Sequence, residues 1–176
     1  MLVFGYGSLI NSSSLWSTVP NAFDLKPAFI KGYMRDFSVH ASLGFTDTNL
    51  DMPVIPFCAL GIKKAAKNKD IVNGIVFDLN KNDLEKLKHR EIDYSLEITT
   101  AYDFFNPWKS IGKVYVFISN NNSGIFDINS KVQKRYLDIC LSGAKEYGEN
   151  FYDTFINTTY LNNQKLSDFI KITKYS

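Results

Sequence analysis

The chain has 176 residues, 45% of them apolar and 15% aromatic, which suits one domain with a sizeable core. Lys and Arg number 20 against 18 Asp and Glu; a net charge of +2 speaks against nucleic acid as a partner, and the one dense basic stretch (Lys63, Lys64, Lys67, Lys69) has no interleaved aromatics. No apolar run approaches the roughly 18 residues of a membrane span, and Met1 leads into a strand rather than a secretory leader, so no membrane association and a cytoplasmic location are expected.

The chain opens on Met1-Leu-Val-Phe-Gly-Tyr-Gly-Ser-Leu-Ile10. Val3, Phe4 and Tyr6 suit a buried strand, whereas Gly5 and Gly7 add no packing and cost entropy inside one. A bare backbone there has two readings. It lets a ligand or another backbone come close, with successive N–H groups forming a concave nest for an anion; or it is a glycine bulge where a strand turns a barrel corner. Ser8 adds a hydroxyl, and Leu9 and Ile10 anchor the turn in the core.

Asn11 to Ser14 is polar and Leu15-Trp16 apolar, predicting a short capped helical turn before Pro20. Residues 29–41 alternate in part and read as one long strand beginning after Pro27. Residues 42–52 read as a loop, and 57–63 and 71–79 as two strands separated by the lysine stretch. Residues 3–6, 29–39, 71–79 and 114–118 are expected in one mixed sheet or barrel, with Gly7 and Ser8 at a strand end.

Asn80 is a good N-cap, with Asp83 near the positive end of the helix that follows. Leu84, Leu87 and Glu91 then fall at i, i+3 and i+7, which puts a carboxylate where a core residue is due. Burial and the negative end of the helix dipole both disfavour its charged form, so its pKa should rise toward the range of a working acid and base. The plainer reading is a surface ion pair with Arg90 or Lys88. Glu85, Lys86 and Lys88 have no such alignment and read as exposed helix charges.

Residues 94–104 and 112–119 are β-rich. A helix starts at Ser130, with Gln133 completing a capping box, and stops at Gly148; Val132, Tyr136, Cys140, Ala144 and Tyr147 recur along it at core spacing. Residues 151–156 resume a helix, and the tail from 160 to 176 is amphipathic, fit for a helix or a strand. With no repeat, low-complexity segment or linker, residues 1–176 read as a single domain.

Cys58 and Cys140 sit in apolar surroundings and read as reduced core thiols. His40 and His89 lack partners at ligand spacing, so no metal is expected. There is no Gly-x-Ser-x-Gly elbow, P-loop or dinucleotide fingerprint, and no cofactor is expected. Without a secretory signal, the sequons at Asn11, Asn121 and Asn157 read as chance. Nothing in the sequence specifies an oligomeric state.

Two segments together resemble a known family. Val3-Phe-Gly-Tyr-Gly-Ser-Leu9 resembles the N-terminal Tyr-Gly-Ser loop of the γ-glutamylcyclotransferase-like superfamily, and Arg90-Glu-Ile-Asp-Tyr94 resembles the segment with its catalytic glutamate, in the order and separation of the ChaC branch. Gly32-Tyr-x-Arg-x-Phe37, Asn73-Gly-Ile-Val-Phe77, Tyr136-Leu137 and Gly143-Ala144 are weaker echoes, so the resemblance covers most of the chain.

The resemblance implies an α+β fold, a small mixed β-barrel flanked by helices, with a pocket between the glycine loop and the glutamate. It implies a small-molecule γ-glutamyl substrate whose α-amine attacks its own γ-carbonyl, releasing 5-oxoproline and an amine, an amino acid or Cys-Gly. Glu91 would shuttle the proton; the N–H groups of Gly7, Ser8 and Leu9 would hold an anionic part of the substrate, and Tyr6 and Tyr94 would wall the pocket or hydrogen-bond. The alternative is a binding or regulatory module that keeps fold and pocket without turnover. The chain departs from the ChaC pattern at Asn11, where Trp is usual, at Leu43-Gly-Phe-Thr46, where an Arg-Gly loop is usual, and in a shorter spacing from the glutamate to the next tyrosine. Loops of this kind set pocket specificity.

Overall fold

The computed structural model describes residues 1–41, 57–66, 70–120 and 122–173. Five strands close a barrel: β1 (Leu2–Gly5), β2 (Phe23–Lys31), β5 (Ile71–Asp78), β6 (Tyr94–Asp103) and β7 (Ser110–Ser119), in the order β1-β5-β2-β6-β7. The barrel is mixed because β1 runs antiparallel to β5 but parallel to β7, Val3 facing Tyr115. A second sheet has the order β4-β3-β8-β9, from β3 (Tyr33–His40), β4 (Cys58–Lys64), β8 (Thr159–Leu161) and β9 (Gln164–Lys165). Five helices flank them: α1 (Ser12–Thr18), α2 (Lys81–Arg90), α3 (Lys131–Lys145), α4 (Glu149–Thr158) and α5 (Leu166–Thr173). Among the described residues no helix is long and apolar enough to cross a membrane.

The expected single strand over 29–41 is two strands in different sheets. Gly32, at φ +78°, breaks it; its N–H donates to Asp70 O (2.8 Å) and its carbonyl accepts from Ala65 N (3.0 Å). Apolar alternation runs straight through the break, so residues 33–39 belong to the second sheet and not, as expected, to the barrel. The capping box at Ser130 is half-formed. Ser130 accepts from Gln133 N, but the buried Gln133 amide reaches away and brackets the Cys58 backbone, accepting from its N–H and donating to its carbonyl, both at 2.9 Å. Gly148, expected as a helix stop, is the N-cap of α4. The tail is both strand and helix, β8, β9 and α5; the expected loop at 42–52 and the last three residues lie outside the described residues.

The barrel closes tightly beside the N-terminal turn. A Cβ on Gly74 would lie 2.2 Å from the Gly5 carbonyl oxygen, so β5 needs glycine where the end of β1 crosses it. Behind this crossing lies Arg35, fully buried on β3. Its Nε donates to Thr159 Oγ1 (2.7 Å), Nη1 to Tyr6 O (3.1 Å) and Asn73 O (2.6 Å), and Nη2 to Asn73 Oδ1 (2.9 Å), Phe155 O (3.2 Å) and Thr158 Oγ1 (3.3 Å). The guanidinium also stacks on Phe155, 4.0 Å from the ring centre. Burial pulls its pKa down to about 9, still well above neutrality, so it is charged under physiological conditions.

Arg35→Leu keeps an apolar side chain at the site but leaves the Tyr6, Asn73 and Phe155 carbonyls without their guanidinium donor. Each buried group left unpaired costs about 1–3 kcal/mol, and we expect a total loss of at least about 3 kcal/mol in urea unfolding. A loss below about 1 kcal/mol would mean that the network is not what joins the two sheets.

Candidate functional site

The site begins where β1 ends. Tyr6 and Gly7 lead into a single 3₁₀ turn, Ser8–Ile10, closed by Ile10 N to Gly7 O (3.0 Å) and Asn11 N to Ser8 O (3.2 Å). Among the described residues no acceptor takes the N–H of Gly7, Ser8 or Leu9. Asn11 then caps α1, its Oδ1 accepting from Ser14 N (2.9 Å), while its Nδ2 donates to Glu146 Oε1 (3.0 Å) beyond the end of α3. The turn is therefore held from both sides by ordinary capping chemistry, with three backbone donors left over.

The opposite wall comes from α2. Asn80 caps it by accepting from Asp83 N, and Asp83, buried, takes further bonds from Asn21, Asn80 and Lys86 that hold its carboxyl below the usual range. Leu84 and Leu87 are buried as their spacing required. They fix the rotation of the helix so that Glu91, its C-cap, follows on the same face, with its N–H donated to Leu87 O at 2.9 Å. The Glu91 side chain is 16% exposed. Burial raises its pKa and Asp93 adds to the rise, while the adjacent Arg90 opposes it.

Glu91 is both buried and paired. Arg90 Nε does lie 3.6 Å from Glu91 Oε1, but the pair is at a cavity rather than on the open surface. Arg90 also donates through Nη1 to Thr18 Oγ1 and through Nη2 to Ser8 Oγ (3.2 Å), so it pins the glutamate, the turn and α1 together. Lys88 pairs instead with Glu85 (2.8 Å).

Tyr6, Gly7, Ser8, Leu9, Glu91 and Tyr94 all line one cavity of about 340 Å³, measured with its opening to solvent. The spacing on α2 supplied Glu91, and Tyr94 follows three residues on; the apposition of Tyr6, Gly7, Ser8 and Leu9 to them is long-range. Sequence reasoning left out Tyr136 and Leu60, which also line it. Tyr136 read as core because it sits at core spacing on α3, and it is indeed buried. The hint that it does more was its place, opposite a glycine: a Cβ on Gly7 would lie 3.1 Å from the Tyr136 hydroxyl.

Three phenols thus face the cavity, and each is tied to backbone. Tyr6 donates to Phe117 O (2.6 Å), Tyr94 donates to Leu60 O (2.9 Å), and Tyr136 accepts from Leu60 N (3.1 Å). Burial, with smaller repulsion from Glu91, pushes all three well above the ordinary phenol pKa, so they act as neutral hydrogen-bonding groups. Among the described residues no group of three or more His, Cys, Asp and Glu is placed to hold a metal ion. One cavity is thus lined by backbone N–H groups of a turn and by a buried carboxylate, the kinds of group that suit an anion and a proton.

The family model for ChaC-like proteins matches residues 1–163. No curated protein sequence matches the chain. Among solved structures, a γ-glutamyl cyclotransferase superposes with a TM-score of 0.67 at 19% identity, covering 98% of each chain. An uncharacterized protein from Homo sapiens gives 0.68 at 18% identity, covering 97% of each. A yeast γ-glutamyl cyclotransferase described as specific to glutathione gives 0.55 at 12% identity, covering 96% of this chain and 98% of that one. At these identities the likeness is one of fold.

The raised pKa of Glu91 makes a prediction about stability. The group holds its proton more tightly folded than unfolded, so no cost arises while both states are protonated, and a cost accrues as pH rises above the unfolded value of about 4.5. Glu91→Gln should therefore be more stable than wild type near neutral pH, with the difference shrinking to nothing below about pH 4. Melting temperatures across pH 3.5 to 8, roughly the span of the transition, would check this; a variant destabilised at neutral pH would show that the carboxylate is a net structural asset.

Proposed function

The chain belongs to the ChaC-like family within the γ-glutamylcyclotransferase-like superfamily, and from that premise we propose that it is a γ-glutamylcyclotransferase. The observation that carries the reading is the pairing of a buried carboxylate with a backbone anion nest across one small cavity. A γ-glutamyl group has the matching parts: a neutral α-amine that must give up one proton as its nitrogen forms the new C–N bond, and an α-carboxylate and a γ-carbonyl to be held.

In this reading the N–H groups of Gly7, Ser8 and Leu9 bind the anionic end of the substrate, and Tyr6 and Tyr94 wall the pocket. Glu91 accepts a proton from the α-amine as its nitrogen attacks the γ-carbonyl carbon. The C–N bond of a five-membered ring forms, and the carbonyl π pair moves to oxygen. When that pair returns, the bond to the leaving nitrogen breaks, and Glu91 hands its proton to the departing amine. The products are 5-oxoproline and a free amine. A carboxylate raised by burial suits this work, because it is a stronger base than an exposed one and still a competent acid.

The substrate class is a γ-glutamyl amide: glutathione, a γ-glutamyl amino acid or a γ-glutamyl amine. A panel of these compounds scored for 5-oxoproline release tests the proposal, and saturable binding without release would overturn it in favour of a non-catalytic module. Glu91→Gln should lower kcat by about 10² to 10⁴-fold with binding largely kept. Glu97→Gln is the control: Glu97 is paired with Lys64 (3.3 Å) and its side chain is 43% exposed on β6, so that variant should keep most activity. The opposite pattern would move the proton shuttle away from Glu91.

A further inference from the structure

The three phenols at the cavity differ in one respect. A tyrosine hydroxyl has a single proton to give. Tyr6 gives its proton to Phe117 O and Tyr94 gives its proton to Leu60 O, so both can only accept from anything in the cavity. Tyr136 is the reverse: its oxygen accepts from Leu60 N, so its proton is not given to backbone. Cys140, one turn further along α3, offers a competing acceptor, but a thiol sulfur is a weak one. The same hydroxyl stands against the bare face of Gly7, 3.1 Å from where a Cβ would be, beside the unused N–H groups of the turn.

We propose that Tyr136 is the side-chain donor of an oxyanion hole, its hydroxyl hydrogen-bonding the γ-carbonyl oxygen of the substrate as that oxygen gains the π pair during ring closure. The inference rests on the cyclotransferase reading and adds to it the group that stabilises the developing charge. The ring is held for this task between Phe57 and Phe37, at centroid distances of 4.8 and 6.3 Å. The Leu60 N–H fixes the hydroxyl oxygen and so aims the proton. A Cβ at Gly7 would crowd that hydroxyl at 3.1 Å and push it by a few tenths of an ångström. A donor fixed before the reaction stabilises new charge without having to reorient, which is why such groups act mainly on kcat.

Tyr136→Phe keeps the ring stack and removes the donor. In the cyclisation assay kcat should fall by about 10² to 10³-fold while KM changes by less than about threefold. The discriminating ligand is an S-alkyl-L-homocysteine, which keeps the α-amine and α-carboxylate of a γ-glutamyl compound but has a sulfur where the γ-carbonyl carbon would be. Its Kd should be the same for wild type and Tyr136→Phe. A folded variant with wild-type kcat, or one that loses affinity for the thioether as steeply as it loses activity, would overturn the assignment, the latter making Tyr136 a wall or an α-carboxylate contact.

Because Phe also removes the acceptor of the buried Leu60 N–H, a second variant covers poor folding. Trifluorotyrosine at position 136 keeps the acceptor oxygen and makes the proton more acidic. The hydroxyl faces Cys140 on its own helix, Glu91 at the end of α2, Tyr6 after β1 and Arg35 on β3, and burial among them keeps the natural phenol protonated. The fluorinated enzyme should therefore gain a basic limb in its kcat profile as the donor ionises, with the acid limb unmoved. A fluorinated phenol seen to ionise by its absorbance, with kcat unchanged across that transition, would overturn the proposal. Wild-type protein that releases no 5-oxoproline from any γ-glutamyl compound would instead overturn the cyclotransferase reading and this inference with it. An active wild type with an indifferent Tyr136 would remove only the tyrosine.

Discussion

A buried guanidinium whose hydrogen-bond partners among the described residues are all neutral oxygens joins the parts of this molecule. Arg35 is fully buried, and removing a cation from water costs several kcal/mol unless its donors are satisfied. The fold satisfies them with neutral oxygens drawn from the end of β1, from β5, from the last turn of α4 and from β8. Each is separated from Arg35 by at least 29 positions in sequence, so the network forms only when the barrel, the second sheet and α4 are assembled around it. Asn73 extends it by donating to Phe151 O at 2.9 Å. The functional consequence lies in the bond to Tyr6 O. In a trans peptide the N–H points opposite to the carbonyl, so drawing the Tyr6 carbonyl toward Arg35 turns the Gly7 N–H away from the cation. The buried charge thus sets the direction of the first donor in the anion nest.

A second constraint explains why the cavity has phenols around it. β4 is an edge strand, paired with β3 alone in its sheet, and its outward-facing N–H and C=O groups need partners. Side chains from the barrel and α3 supply them in succession: Gln133 at Cys58, Tyr136 and Tyr94 at Leu60, and Ser119 Oγ donating to Ile62 O at 3.1 Å. The seam between the two sheets is therefore closed by polar side chains rather than by a continuous strand ladder. The cavity is where that seam meets the N-terminal turn. The same phenols that finish an open sheet edge give the pocket its hydrogen-bonding walls, so loss of a phenol ring would disturb both roles.

Much of this was legible in the sequence wherever the information is local. Asn11 and Asn80 announced two helices, and the spacing of Leu84, Leu87 and Glu91 put a carboxylate on a core-facing line, where burial was bound to raise its pKa. The glycine turn was recognised as a place of close approach, although its two readings merge: Gly5 and Gly74 serve a tight barrel crossing, while Gly7 leaves room at the cavity. What escaped is non-local. Gly32 divides one apolar alternation into two strands because a single positive φ redirects the chain, and nothing in the flanking pattern changes. Gln133 looked like the second half of a capping box because its spacing fits, yet an unfinished strand edge was the stronger claim on its amide. Arg35 and Tyr136 stood only within weak family echoes, with nothing local to mark what they do; their surroundings after folding show it.

The electrostatic balance of the cavity follows from these parts. Among the described residues that line it, Glu91 is the one carboxyl and none is Lys or Arg; Arg90 stands beside the glutamate, bonded to Ser8 and Thr18. A cation lining the cavity would favour the carboxylate as a permanent anion and weaken it as a base. Burial raises the pKa of the Glu91 carboxyl, and Arg90 at 3.6 Å opposes that rise. On the proposed reading, negative charge on a ligand would be met by neutral donors, the backbone N–H groups of the turn and a phenol whose proton is not given to backbone. Neutral donors fixed by the fold meet that charge without adding a cation that would lower the pKa of the base, and Arg35, buried behind the turn, is the charged group that keeps them in place.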